Sequence, residues 1–138
     1  MPDTLINHES VIDMLNSSPV LSNLNLRCVK ENNERIVRID KLEAFHLGGL
    51  AGDSYNGMFV VSMLELALGF SGVEYFYPEK SGVIEMSYKF WRVIPSKVEI
   101  FAKSTLIKKS ENICFCQAKV LDRRGREYAF ATGIVSKF

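Results

Sequence analysis

Residues 58 to 73, MFVVSMLELALGFSGV, carry a single charge, Glu65, in 16 positions. The run falls short of the roughly 18 to 20 apolar residues that a membrane-spanning helix needs, so it reads as a helix of the protein interior. Met58, Val61 and Leu68 fall on one helical face, while Phe59, Val60, Met63, Leu64, Leu66 and Ala67 fill the others. A helix apolar on every side has to be covered on every side. The rest of the chain must therefore wrap it, with a second subunit or an N-terminal helix closing what one layer leaves open. Glu65 is the exception. A buried carboxylate without a partner costs several kcal/mol or takes up a proton, so Glu65 is expected either to pair with a basic group or backbone donor, or to belong to a site.

The wrapping layer reads as β-structure. LNLRCVKENN and ERIVRIDKLEAF form two strands, with Leu24, Leu26 and Cys28 alternating with polar neighbours and Asn32-Asn33 turning between them. SGVIEMSYKFWRVIP sets Ile84, Met86, Tyr88 and Phe90 on one face and Glu85, Ser87, Lys89 and Trp91 on the other, the pattern of a strand with one strongly buried side. KVEIFAKSTLIK, NICFCQAKVLD and REYAFATGIVSKF give three further β-type runs, separated by Lys108-Lys109-Ser110-Glu111 and Asp122-Arg123-Arg124-Gly125. Ahead of them, DTLINHESVIDMLNSS reads as a short amphipathic helix capped by Asp3, with Leu5, Val11, Ile12 and Leu15 apolar and Ser17-Ser18-Pro19 closing it. The expectation is α+β: an N-terminal helical segment over residues 1–19, then residues 20–138 with six antiparallel strands around one long helix.

At 138 residues the chain is long enough for one sufficient core. A net charge of +1, with 24% charged residues spread along the chain, gives no footprint for nucleic acid or a membrane surface. Three cysteines and a start, MPDTLINHESV, without a secretory pattern fit a reducing cytoplasm. Cys114 and Cys116 would point to one face of a strand, far in sequence from His8 and His46, and read as core cysteines, with no metal proposed.

Asn56-Gly57-Met58 at the helix start, Glu65 nine positions after Asn56, Phe90-Trp91-Arg92 with Pro95 shortly after, and the closing strand pair with its Asp-x-x-Gly turn resemble the hot-dog fold thioesterases, especially the small phenylacetate-type acyl-CoA thioesterases. The resemblance covers residues 20 to 138. In that family the helix start carries His-Gly-Gly, with an acid nine positions after the His. Here Asn56 stands in the place of the His and Met58 in that of the second Gly, and the loop FHLGGLAGDSY is about four residues longer than the common Asn-x-x-Gly version.

The resemblance implies an acyl-CoA or acyl carrier protein thioester as ligand, with coenzyme A as part of the substrate and no separate cofactor. It also implies subunits paired as a dimer or a dimer of dimers, and catalytic roles for Glu65, Gly57 and Asn56. The Gly57 amide, at a helix N-terminus, would hold a developing oxyanion; Glu65 would activate water or attack directly; Asn56 would orient a carbonyl or a water, or else make a turn. Tyr55, Asp53, His46 and Arg92 are the candidate substrate-binding residues, although Asp53 or Ser54 is equally suited to capping the helix. Lys97, Arg123, Arg124 and Arg126 are further cations for coenzyme A phosphates. Two other readings stand beside hydrolysis: a non-catalytic acyl-CoA-binding sensor or regulatory module, motivated by the altered His-Gly-Gly, and an enoyl-CoA hydratase or dehydratase using His46 with a helix acid.

Overall fold

The computed structural model describes residues 8 to 138, so the expected cap Asp3 and the apolar Leu5 lie outside the described residues. Two short helices come first, α1 (His8–Asn16) and α2 (Pro19–Asn23). The second was not expected. Pro19 opens a new helix from a first-turn position, where its missing N–H has no intrahelical partner to lose, and Leu24 ends that helix instead of starting a strand.

The chain then forms β1 (Leu26–Glu31) and β2 (Glu34–Ile39), a 3-10 turn at Ala44–His46, the long helix α3 (Gly57–Phe76), and β3 (Ser81–Phe90), β4 (Ile100–Lys109), β5 (Ile113–Asp122) and β6 (Glu127–Lys137). The six strands make one sheet in the order β1-β2-β4-β5-β6-β3, antiparallel at every pairing. The expected Asn32-Asn33 turn is present, with both residues at positive φ (50° and 66°) as a two-residue hairpin of this twist requires. Two expected strands are shorter than read. KLEAF leaves the sheet after Ile39, and β3 stops at Phe90, so Trp91 to Pro95 form a connection.

Helix α3 lies across β2 to β6. At 20 residues it is long and apolar enough to span a bilayer by length and composition alone, but its buried side is packed on the sheet. Close approach to β6 depends on two glycines: a Cβ at Gly72 would sit 2.2 Å from Val135 Cγ1, and one at Gly133 would sit 2.8 Å from Leu68 Cδ1. Val135 thus belongs to the helix side of the sheet. Cys114 and Cys116 are core residues on that same side, with Sγ atoms 3.7 Å apart. Burial, then the neighbouring Cys114, pushes the Cys116 thiol up to about 12. Among the described residues no cluster suited to a metal ion occurs.

Coverage of α3 is one-sided. Met58, Ser62, Glu65, Gly69 and Val73, spaced three and four apart, form a stripe in which no residue is fully buried, and Met58 is 73% exposed. Next to it runs β3, the edge strand, whose helix-facing Tyr88 and Phe90 remain 45% and 46% exposed. The side expected to be strongly buried is therefore apolar but only partly covered by the described residues, with Met86 packed on the core and Tyr88 and Phe90 left half exposed. A bulge between Val83 and Glu85 takes Ile84 out of the alternation as well.

The deeply buried carboxylate of α3 is Glu74, 5% exposed, and not Glu65. Lys30 Nζ of β1 donates to Glu74 Oε2 at 3.0 Å, and Arg35 Nε of β2 donates to Oε1 at 2.6 Å. Burial by itself would raise this carboxyl; the hydrogen bond from Lys30 and the charges of Arg35 and Lys30 outweigh it and hold the group below the usual carboxylate range. A lowered folded-state value stabilises the fold above the unfolded-state value, and that contribution disappears as pH falls through the folded one. Glu74→Gln, which deprives Lys30 and Arg35 of this counter-charge, is expected to lower the unfolding free energy by about 3 kcal/mol. Urea denaturation at pH 7 measures it, and the gap from wild type should close in acid.

Candidate functional site at the start of the long helix

The chain enters α3 from a loop tied down at both ends. Leu47 bridges to Tyr55, Ser54 bridges to Pro95, and the Asn56 N–H donates to His46 O at 2.8 Å. Gly49 packs so tightly that a Cβ there would lie 2.4 Å from Ser54 Oγ and 2.6 Å from Tyr55 O. The cap of the helix is Asn56, neither Asp53 nor Ser54: its Oδ1 accepts from the Met58 N–H at 2.9 Å. That leaves the Gly57 N–H, which has no acceptor among the described residues and sits where the helix dipole favours negative charge.

Gly57 opens onto a cavity of about 360 Å³ whose walls include Leu50, Tyr55, Val60, Trp91 and Val93, with Arg92 also on its lining. A Cβ at Gly57 would meet only Phe90 Cζ, at 3.8 Å. The helix start therefore presents one free amide to a mostly apolar recess, the arrangement needed to bind a carbonyl whose oxygen gains charge. In the sequence Trp91 and Val93 read as part of a strand, so nothing there marks them as cavity walls. Leu50 stands between Gly48 and Gly52, both in left-handed conformations at φ 83° and 99°, and Gly48-Gly49 and Gly52 were the signal in the sequence that this loop is a shaped one.

The other expected residues divide. Tyr55, 7% exposed, lines the cavity with its hydroxyl donating to Val98 O at 2.7 Å. Asp53 is exposed and accepts from Ser96 Oγ at 2.5 Å, which ties the loop to the β3–β4 connection. His46 is fully buried between Phe45 and Phe59; one ring nitrogen lies 2.8 Å from Leu24 O and the other accepts from the Glu43 N–H at 2.9 Å. Both nitrogens are occupied by backbone, which leaves none for hydration chemistry. Arg123 is paired with Glu99, and Arg124 and Arg126 are exposed at the β5–β6 turn; neither of these two lines the Gly57 cavity.

Glu65 is half-buried on the open stripe of α3 and makes no ion pair or hydrogen bond among the described residues. Desolvation raises its carboxyl above the usual range. It lies eight residues after Gly57, roughly 12 Å along the axis at 1.5 Å per residue. Two groups that far apart on one helix do not reach the same carbonyl. A raised folded-state value means the fold resists ionisation of Glu65: the penalty is absent below the unfolded-state value, grows as pH rises through the folded one and persists above it. Glu65→Gln is accordingly expected to raise the melting temperature at pH 7.5 and to leave it unchanged near pH 3.5, read by calorimetry at both pH values.

Neither protein-family models nor curated proteins match the sequence. Solved structures do match the fold. The PaaI protein of the E. coli phenylacetic acid degradation operon superposes with a TM-score of 0.80 at 11% identity, over 95% of this chain and 92% of that one. A Shewanella oneidensis protein related to the thioesterase superfamily gives 0.78 at 15% identity, over 93% of each chain. A variant of the phenylacetic acid degradation protein PaaI from Thermus thermophilus gives 0.73 at 17% identity, over 88% of this chain and all of that one. With its single six-stranded antiparallel sheet curved about a 20-residue helix, the chain has the hot-dog fold, and its structural neighbours are thioesterase-superfamily proteins.

Proposed function

We propose that this protein hydrolyses an acyl thioester of coenzyme A or acyl carrier protein, working as a homodimer in a reducing cytoplasm, with each site assembled from two copies of the chain. The observation that carries the reading is the free Gly57 N–H at the head of α3, facing a mostly apolar cavity. The acyl carbonyl would accept from this amide while its apolar substituent fills the space between Leu50, Val60 and Trp91. Water adds to the carbonyl carbon and gives up a proton to the general base; the tetrahedral intermediate then breaks its C–S bond, so that the thiolate leaves, takes up a proton, and a carboxylic acid remains. The similarity of the fold to PaaI and to thioesterase-superfamily structures points the same way.

The carboxylate comes from the second copy. If two α3 helices lie antiparallel with the two-fold axis near Val61, Gly57 of one is level with Glu65 of the other, because 61 is midway between 57 and 65. The exposed stripe of α3 and the unpaired edge of β3 are the surfaces that such a pairing would bury. Glu65, desolvated and unpaired, then serves as general base toward water or as direct nucleophile. The second reading, binding without turnover, is favoured by the commitment of Asn56 Oδ1 to capping, which removes it as a partner for water.

Release of free thiol from a panel of acyl-CoAs, followed with a thiol reagent, separates the two readings. Hydrolysis predicts turnover that falls about 100-fold in Glu65→Gln and about 100-fold in Gly57→Pro. Proline suits the first helical position and the extended Asn56 before it (φ −69°, ψ 127°), so it deletes the amide without breaking the helix. Binding by calorimetry with no turnover selects the second reading instead. Light scattering is expected to give twice the 15.6 kDa of one chain; a monomer mass rules out the shared site.

A further inference from the structure

Away from the Gly57 cavity, the pairing of β2 with β4 stops one residue short of the ends of both strands. They pair only from Arg35↔Ser104 to Arg38↔Phe101, although β2 continues to Ile39 on β1 and β4 begins at Ile100 on β5. At this end of the two strands lies a cleft of about 710 Å³, within the range of small-molecule sites. Ile39, Leu42, Val98 and Phe101 supply its apolar surface over the buried Ile36 and Ile100, and Tyr55 borders both this cleft and the Gly57 cavity.

Three cations and two carboxylates also line this cleft. Arg38 is paired with Glu31. Arg123 is held by Glu99 through two contacts of 3.0 Å, Nε to Oε2 and Nη2 to Oε1. Lys97 makes no ion pair among the described residues. The balance at the cleft is one uncompensated positive charge beside an apolar trough. A polyanion such as a nucleotide bisphosphate is poorly matched to it, because two of the three cations already have counter-charges. A single negative charge on an apolar body matches both parts.

We infer that the cleft between β2 and β4 is a second ligand site, taking a monocarboxylate with an aliphatic or aromatic body, the carboxylate on Lys97 and the body along Ile39, Leu42 and Phe101. The site is independent of the proposed hydrolysis, and occupation of one cavity leaves the other open.

Octanoate is the probe, with octylammonium and adenosine 3′,5′-bisphosphate as controls, and backbone amide NMR titration and calorimetry as readouts. Octanoate is expected to shift Arg38, Val98, Ile100 and Phe101 saturably. Lys97→Gln, at an exposed residue that the fold does not need, is expected to weaken this binding about tenfold. Leu42→Glu, which puts a negative charge at the rim, should abolish it, and both variants should keep the thermal stability and Gly57-region amide shifts of wild type. Any of the following overturns the inference: no saturable binding up to 10 mM, roughly the weakest a real site would show; shifts confined to Gly57 and Val93; octylammonium binding as tightly as octanoate; displacement of octanoate by the bisphosphate; or unchanged affinity in Lys97→Gln.

Discussion

A helix that is apolar on all sides cannot be covered by one sheet, and this mismatch organises the molecule. The sheet reaches round α3 from β2 to β6 and approaches closest where Gly72 and Gly133 remove side chains from the contact. Beyond β3 the described residues add no further strand. The flank that the sheet cannot reach keeps Met58, Glu65 and Gly69 on its surface, next to the partly exposed Tyr88 and Phe90. Burial of that surface by a second copy and completion of a two-residue site would then be the same event.

The two carboxylates of α3 show how position on the helix decides chemistry. Glu74 faces the β1–β2 hairpin, where Lys30 and Arg35 converge on it, and their charges overcome its desolvation. Glu65, nine residues earlier, is desolvated without that compensation, and its carboxyl moves the opposite way. The first reads as a fastening between helix and hairpin. The second is left with an uncompensated carboxylate, and so with the more basic of the two.

Much of the architecture was legible because it rests on local rules. The all-apolar segment marked the central helix, Asn32-Asn33 marked the hairpin turn, and alternation marked the six strands. What could not be read was set by pairing. β3 ends at Phe90, and its apolar face is exposed because it is an edge strand, and no pattern within SGVIEMSYKFWRVIP says where in the sheet it will stand. Glu74 was overlooked because its partners are 44 and 39 residues away in sequence. His46 looked like a reactive loop histidine, yet backbone groups of Leu24 and Glu43 hold both of its nitrogens. The distance between Gly57 and Glu65 was available from helix geometry alone and needed only the rise per residue.

The presence of asparagine at the helix start also has a physical account. An N-cap side chain accepts from the second or third amide of the helix and so leaves the first without a partner. Asn56 does this through Met58, and the amide left over is that of Gly57. A residue that turns the chain and caps the helix thus also frees the donor that faces the cavity, and the anchoring of the Asn56 N–H to His46 O fixes its direction. An amide with nothing else to bind is the feature that the proposed oxyanion binding requires.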